Sequence, residues 1–123
     1  MEKIHTSNAP EAIGPYSQAV KCGNIVFTSG QIAIDPADGQ VHVTTIEEQT
    51  EQVCKNLCAV LEAAGSSLNK AIKTTCFLAN MSDFAAFNGV YAKYFTEKPA
   101  RSCVAVKELP KNVLVEIDVI AEI

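Results

Sequence analysis

The C-terminal stretch ARSCVAVKELPKNVLVEIDVIAEI (Ala100 to Ile123) carries the pattern that decides the fold. Its second half, VLVEIDVIAEI, is rich in β-branched residues and predicts a strand. Successive side chains of a strand point to opposite faces of the sheet. One face would carry Val113, Val115, Ile117, Val119 and Ala121, and the other Leu114, Glu116, Asp118, Ile120 and Glu122. The pattern therefore predicts one apolar face and one face that carries carboxylates.

The first half of the stretch, ARSCVAV, predicts another strand, in which Arg101 and Cys103 share a face. If the loop Lys107–Asn112 joined the two strands as an antiparallel pair, Arg101 would lie opposite Asp118 and diagonal to Glu116. Cys103 would then face Glu116. A shift of register by one residue would separate these side chains. Arg101 is therefore a surface residue, a structural partner of a carboxylate, or part of a binding site.

Upstream, the chain predicts a strand and then a helix. The apolar run Asn24 to Ile34 is typical of a strand with a bend or bulge at Gly30. The turn sequence DPADGQ follows it. Thr45 and Glu48 have the spacing of a capping box, and Gly65 is a natural helix stop. Apolar residues recur between them at helical spacing, so we expect an amphipathic helix.

A second strand and helix are predicted between residues 71 and 95. The run Ala71 to Ala79 has strand character, and Ser82 and Asp83 are candidate caps of the second helix. That helix carries an aromatic stripe, which we interpret as core packing: Phe84, Phe87, Tyr91, Tyr94 and Phe95. The order of elements predicts an α+β domain, with two helices packed on one face of a mixed sheet. The other sheet face would meet solvent or a partner subunit.

The motifs of several enzyme classes are missing from the sequence. There is no P-loop, no dinucleotide fingerprint, no nucleophile elbow and no HExxH motif. Cys54 and Cys58 lie four residues apart, but neither His5 nor His42 stands at a spacing that would complete a metal site. Buried cysteines that pack as small apolar residues are the simpler interpretation. We therefore expect no metal and no cofactor.

The composition is that of one ordinary globular domain, residues 1–123. Hydrophobic residues make up 48% and charged residues 20%, with a net charge of -4. That charge argues against nucleic-acid binding, which needs lysines and arginines to neutralise phosphates. No secretory signal and no membrane-spanning run is recognisable. Five cysteines without CxxC spacing favour a reducing, cytoplasmic setting.

Three stretches resemble the RidA/YjgF family of enamine/imine deaminases. They are AIGPYSQAV (Ala12 to Val20), FTSGQI (Phe27 to Ile32) and PARSCVAVKELPKNVLVEIDVIA (Pro99 to Ala121). The resemblance covers essentially the whole chain. It implies a chorismate-mutase-like fold and a homotrimer whose sheets form a central barrel. It also implies hydrolysis of 2-iminobutanoate and 2-iminopropanoate to 2-oxo acids and ammonia, which limits damage by reactive metabolites.

The resemblance implies a site shared between subunits. Its catalytic residues would be Arg101, Glu116 and Cys103, and its substrate-binding residues Tyr16, Ser29, Gly30 and Asn88. One departure is the connection between Phe95 and Pro99, which is shorter here than is usual for the family and could change the preferred substrate size.

The chemistry of these residue types agrees with that implication. The planar fork of Arg101 suits bidentate capture of a carboxylate. Glu116 could position and deprotonate the attacking water. Gly30 permits close backbone approach, and Cys103 is interpreted as a small packing residue. Two alternatives remain open: a non-catalytic protein that binds small 2-oxo acids, and an endoribonuclease. The second predicts a basic groove, which the net charge disfavours.

Overall fold

The computed structural model describes all residues 1–123 as a six-stranded mixed sheet and two helices. The strands are β1 (Glu2–Ile4), β2 (Ala19–Cys22), β3 (Ile25–Thr28), β4 (Ala71–Leu78), β5 (Ala100–Ala105) and β6 (Val115–Glu122). The helices are α1 (Ile46–Ala63) and α2 (Phe84–Tyr94). The strand order is β1-β2-β3-β6-β4-β5, and only β4 and β5 run parallel. The predicted α+β class is confirmed, and β1 and β2 are additions that the sequence patterns did not indicate.

The β6 strand lies in the middle of the sheet, between β3 and β4. Its alternate residues Val115, Ile117, Val119 and Ala121 are at most 1% exposed. A strand this apolar on one face is stabilised most when it is covered and has neighbours on both edges. The predicted hairpin of β5 with β6 is therefore wrong. The crossover through α2 returns the chain so that β5 pairs parallel to β4 at the sheet edge, where its exposed side chains meet solvent.

The first helix begins and ends where the sequence predicts. The Thr45 Oγ1 atom accepts a hydrogen bond from the Glu48 backbone N–H at 3.2 Å. At the other end Gly65 has a φ of 82°, and the Ser66 N–H donates to the Leu61 carbonyl at 2.8 Å. This 6→1 bond and the positive φ form a Schellman motif, which satisfies carbonyl groups that the helix leaves free.

The second helix begins differently from the prediction. A short 3₁₀ turn, Met81–Asp83, leads into it, and neither Ser82 nor Asp83 makes a side-chain capping bond. The aromatic stripe does pack in the core: Phe87 is fully buried, and the Tyr91 and Phe95 rings stack with their centroids 4.5 Å apart. Neither helix has the length and apolar content that a bilayer span requires.

The helices cover only one face of the sheet. The valine-rich face of β6 packs under them, which settles a choice that alternation alone left open. The opposite face, which we call the open face, includes Phe27, Phe77, Val104 and Ile120. Phe27 and Val104 are 45% and 47% exposed. This single chain therefore leaves an apolar sheet surface without a cover.

Candidate functional site

A cleft of about 450 Å³ lies where the end of β3 meets β6. We call it the acidic cleft, because its charged lining residues are Glu11, Glu116 and Asp118, and no lysine, arginine or histidine lines it. Tyr16, Ser29 and Gly30 line the same cleft. The structure thus brings together four of the seven residues that the sequence predicts for the site, namely Tyr16, Ser29, Gly30 and Glu116.

The break in β3 brings Gly30 against Glu116. Regular pairing of β3 with β6 stops near Phe27, and Gln31 then pairs with Ile117 through hydrogen bonds of 2.8 and 3.1 Å. A Cβ atom added at Gly30 would lie 2.8 Å from the carboxyl carbon of Glu116. A side chain at position 30 would therefore displace the carboxylate, and the missing Cβ of Gly30 leaves the space in which the Glu116 carboxylate lies.

Polar contacts hold the other walls of the acidic cleft. The Ser29 hydroxyl donates to the Ser17 carbonyl at 2.6 Å, so it serves the loop as well as the cleft. Gln18 is 2% exposed, and its amide accepts from the Thr6 N–H at 2.7 Å and donates to the Pro10 carbonyl at 2.8 Å. Gln18 was not predicted as a site residue. A glutamine beside a strand carries no local signal that it will be buried.

The two carboxyl groups of β6 in this cleft are held in an unfavourable environment. Burial raises the pKa of Glu116, and the neighbouring Asp118 charge raises it further. Burial also raises the pKa of Asp118, although Thr75 and Lys73 act in the opposite direction. A carboxyl group whose pKa moves toward neutrality exchanges protons more readily at physiological pH. The acidic cleft therefore suits proton transfer.

A second cleft, of about 330 Å³, lies between α2 and the start of β5. We call it the basic cleft, because Lys98 and Arg101 line it and no acidic residue does. The Arg101 Nη1 atom donates to the Asn88 side-chain oxygen at 2.7 Å. Neither cation takes part in an ion pair. The basic cleft therefore presents positive charge that no group of this chain neutralises.

Aromatic rings of α2 hold the guanidinium of Arg101. Its Cζ atom lies 4.9 Å from the centre of the Tyr91 ring, 5.4 Å from that of Phe84 and 5.9 Å from that of Phe87. Such cation–π contacts stabilise a charge without neutralising it. The Tyr91 hydroxyl is bonded in turn to Thr74 Oγ1 at 2.7 Å. The aromatic stripe, predicted from the sequence to pack in the core, thus has a second role, since it also positions the arginine.

Arg101 and Glu116 do not meet within one chain. Thr74 pairs with Arg101 and Phe77 pairs with Glu116, so the two residues are two strands and three positions apart. That places their Cα atoms about 14 Å apart, at about 4.8 Å per strand and 3.3 Å per residue. They also lie on opposite sheet faces. The predicted juxtapositions of Arg101 with Asp118 and Glu116, and of Cys103 with Glu116, are therefore wrong for a single chain, because β5 pairs with β4.

Comparison with known proteins places the whole chain in one family. Residues 6–123 match the family described as Endoribonuclease L-PSP, also called RidA/YjgF. The chain belongs to the RidA/YjgF family. A RutC family protein of Pyrococcus horikoshii is 57% identical over 98% of this chain and 96% of its own length. Reactive Intermediate Deaminase A of Arabidopsis thaliana, a chloroplastic protein, is 46% identical over 98% of this chain and 65% of its length.

Solved structures of the RidA/YjgF family share the fold. The crystal structure of TdcF from E. coli with bound serine matches with a TM-score of 0.95 and 42% identity. The match covers 100% of this chain and 99% of that one. Two helices on a mixed six-stranded sheet are therefore the family architecture, as the resemblance implied.

Of the RidA/YjgF residues predicted for the site, only Cys103 lines neither cleft. It faces the helices, beside Cys76 of β4, and packs against the core. Burial raises the pKa of the Cys103 thiol, and the smaller effect of Arg101 lowers it. A thiol that stays protonated is a poor nucleophile, which agrees with a packing role.

One group of possible metal ligands lies outside both clefts. Asp35, Asp38 and His42 come together at the surface turn that follows β3. A backbone hydrogen bond from Gln40 lowers the pKa of Asp38, and the contact with His42, at 2.7 Å, adds to the effect. Hydrogen bonds of this kind stabilise the surface turn, which explains why these three side chains lie together.

Proposed function

We propose that the protein hydrolyses 2-imino acids such as 2-iminobutanoate and 2-iminopropanoate to 2-oxo acids and ammonia. The observation that carries the proposal is the opposite charge of the two clefts. A protonated 2-imino acid has a negative carboxylate at one end and a positive nitrogen beside it. The basic cleft complements the first group and the acidic cleft complements the second.

The proposal requires that one copy of the chain supply the basic cleft and a second copy the acidic cleft. The separation of Arg101 from Glu116 rules out one site within a chain. Tyr16, in the acidic cleft, is 53% exposed, and the open face leaves apolar surface that another copy could cover. A homotrimer, as the family resemblance implies, would bury the open faces and bring a basic cleft to each acidic cleft.

Arg101 would bind the substrate carboxylate. Its bond to Asn88 and its contacts with the aromatic rings fix the plane of the guanidinium. The remaining N–H groups can then form the two parallel hydrogen bonds that a carboxylate accepts. A fixed fork reduces the ordering cost of binding and sets the position of C2 relative to the second copy.

Glu116 would position and deprotonate the attacking water. As the water oxygen bonds to C2, the π bond of C=N breaks, Glu116 takes the water proton, and the nitrogen becomes an amine. Return of that proton to the nitrogen lets ammonia leave as the C=O bond forms, and Glu116 accepts the proton that the C2 hydroxyl group loses in the same step. The raised pKa of Glu116 suits a group that both accepts and donates a proton. Tyr16, Ser29 and Gly30 would shape the wall around the reacting carbon.

A second candidate, a non-catalytic protein that binds small amino or oxo acids, is supported by the serine in TdcF. It uses the same Arg101 but assigns no chemistry to Glu116. The endoribonuclease description of the family finds less support, because two cations in one cleft are few for phosphate binding.

The decisive assay supplies 2-iminobutanoate from threonine with a threonine dehydratase and follows the formation of 2-oxobutanoate. We expect the protein to accelerate that step above the spontaneous rate. Light scattering at micromolar concentration should show a trimer. A stable monomer would contradict the shared site, and no acceleration by a trimer would leave the binding protein as the better description.

A further inference from the structure

The basic cleft contains one more cation than the proposed reaction uses. Arg101 alone can bind the carboxylate of a 2-imino acid, yet Lys98 lines the same cleft three positions earlier in the chain. No acidic residue lines the cleft, and Lys98 takes part in no ion pair. An unpaired cation beside a second unpaired cation is an electrostatic cost that a doubly negative ligand would remove.

The backbone at Lys98 is held in an uncommon conformation. Its φ is 53°, in the left-handed region that few residues other than glycine and asparagine adopt. Pro99 follows, and a proline restricts the preceding residue to extended conformations in most contexts. The turn is closed by the Lys98 N–H, which donates to the Phe95 carbonyl at 3.4 Å. The fold therefore imposes this conformation, and the short connection between Phe95 and Pro99 places the lysine beside the cleft.

We infer that Lys98 is a specificity-determining residue that binds a second carboxylate. The ligand class is the 2-imino and 2-oxo acids with an acidic side chain, of the aspartate and glutamate type. The inference rests on the proposed function for the use of Arg101, which takes the carboxylate next to C2. Lys98 then takes the distal carboxylate. Its Cα is at most about 10 Å from that of Arg101, within the reach of two long side chains.

The charge of the opposite cleft supports this arrangement. Glu11, Glu116 and Asp118 would repel a second carboxylate that pointed toward them. A distal carboxylate is therefore favoured only on the side of the basic cleft, where Lys98 supplies the counter-charge. Lys98 is exposed, so its contribution should be modest and sensitive to salt.

Binding of stable 2-oxo acids tests the inference without any turnover. Calorimetry would compare 2-oxoglutarate with 2-oxobutanoate on the wild-type protein, on Lys98→Met and on Lys93→Met. Lys93 is an exposed lysine of α2 that lines neither cleft, so its replacement changes the net charge equally. We expect the wild type to prefer the dicarboxylate by about fivefold, the upper range for an exposed ion pair. Lys98→Met should lose that preference and Lys93→Met should keep it.

A second variant controls for the strained backbone. Lys98→Gly removes the cation and suits the positive φ, so its stability should not fall. It should lose the preference as Lys98→Met does. No preference in the wild type, or an unchanged preference in both Lys98 variants, would overturn the inference even if imine hydrolysis is found. If hydrolysis is absent but the preference depends on Lys98, the proposed reaction is wrong and the dicarboxylate site stands.

Discussion

The acidic and the basic cleft have opposite effects on the charged groups that line them. In the acidic cleft Glu116 and Asp118 lie two residues apart on one strand face, half-buried, and each has its pKa raised. In the basic cleft Arg101 rests on aromatic rings and is fixed by Asn88. The acidic cleft thus destabilises the negative charge of its carboxylates, whereas the basic cleft stabilises the positive charge of Arg101. A destabilised carboxylate suits proton transfer and a stabilised cation suits binding. The two clefts therefore suit different tasks, the acidic cleft the reaction and the basic cleft the binding of substrate.

The largest expected effect comes from the acidic cleft. Glu116→Gln keeps the shape of the side chain and removes its ability to take a proton. We expect imine turnover to fall roughly 10²- to 10⁴-fold, the usual range for a placed general base. Calorimetry should still show binding of 2-oxobutanoate, and light scattering should show an unchanged assembly. Intact turnover with weakened binding would make Glu116 a structural residue and remove the contrast between the clefts.

The corresponding change in the basic cleft should be smaller. Arg101→Lys keeps the positive charge and loses the fork. We expect catalytic efficiency to fall about 10- to 150-fold, which corresponds to about 1.5–3 kcal/mol for hydrogen bonds to a charged group. The loss should appear in substrate binding as well as in rate, unlike that of Glu116→Gln. Near wild-type efficiency in a correctly assembled protein would return Arg101 to the surface residue that its place in the sequence first suggested.

Mixing the two variants tests whether the clefts of different copies meet. When Arg101→Lys and Glu116→Gln chains are unfolded together and refolded, about one quarter of randomly formed shared sites have both native clefts. We therefore expect the mixture to regain about one quarter of wild-type activity. That is about 2.5- to 40-fold above Arg101→Lys alone and at least about 25-fold above Glu116→Gln alone. A mixture no more active than the average of the two variants would show that the clefts do not cooperate across copies.

The smallest predicted effect concerns the charge next to Glu116. The Asp118 charge raises the pKa of Glu116, and only burial has a larger effect on that pKa. Thr75 and Lys73 affect the pKa of Asp118, which they lower. A general base works in its ionised form, so the rate falls as pH drops through that pKa. Asp118→Asn should lower the pKa and move the acidic limb of the pH–rate profile to lower pH. An acidic limb that stays in place, or moves to higher pH, would show that the Asp118 charge does not raise the pKa of the catalytic base.

The elements of the fold differ in how far the sequence could predict them. Local patterns were sufficient for α1, because Thr45, Glu48 and Gly65 act within a few residues of the helix ends. Alternation in β6 correctly separated Glu116 from the valine face. It could not specify the neighbours of β6, since side-chain periodicity contains no information about the partner strand. The error at β5 followed from assuming that strands adjacent in sequence pair.

The resemblance to the RidA/YjgF family supplied part of what the local patterns could not predict. It named Gly30 and Glu116 together, and the close approach of their atoms gives the physical reason. It did not indicate Tyr91, whose ring supports Arg101 only after α2 folds back over β5. Nor did it indicate Lys98, whose role depends on a backbone angle that no side-chain pattern encodes.

The placement of Tyr91 against Arg101 has a practical consequence for spectroscopy. The chain contains no tryptophan and three tyrosines. Tyr16 lines the acidic cleft and Tyr91 the basic cleft, whereas Tyr94 donates a hydrogen bond to Glu51 and lines neither. Two of the three tyrosines therefore lie where a ligand would bind, and no tryptophan is present whose stronger fluorescence would mask theirs. The unlabelled protein is its own optical probe, and replacing Tyr16 or Tyr91 with phenylalanine would tell which cleft a small acid reaches first.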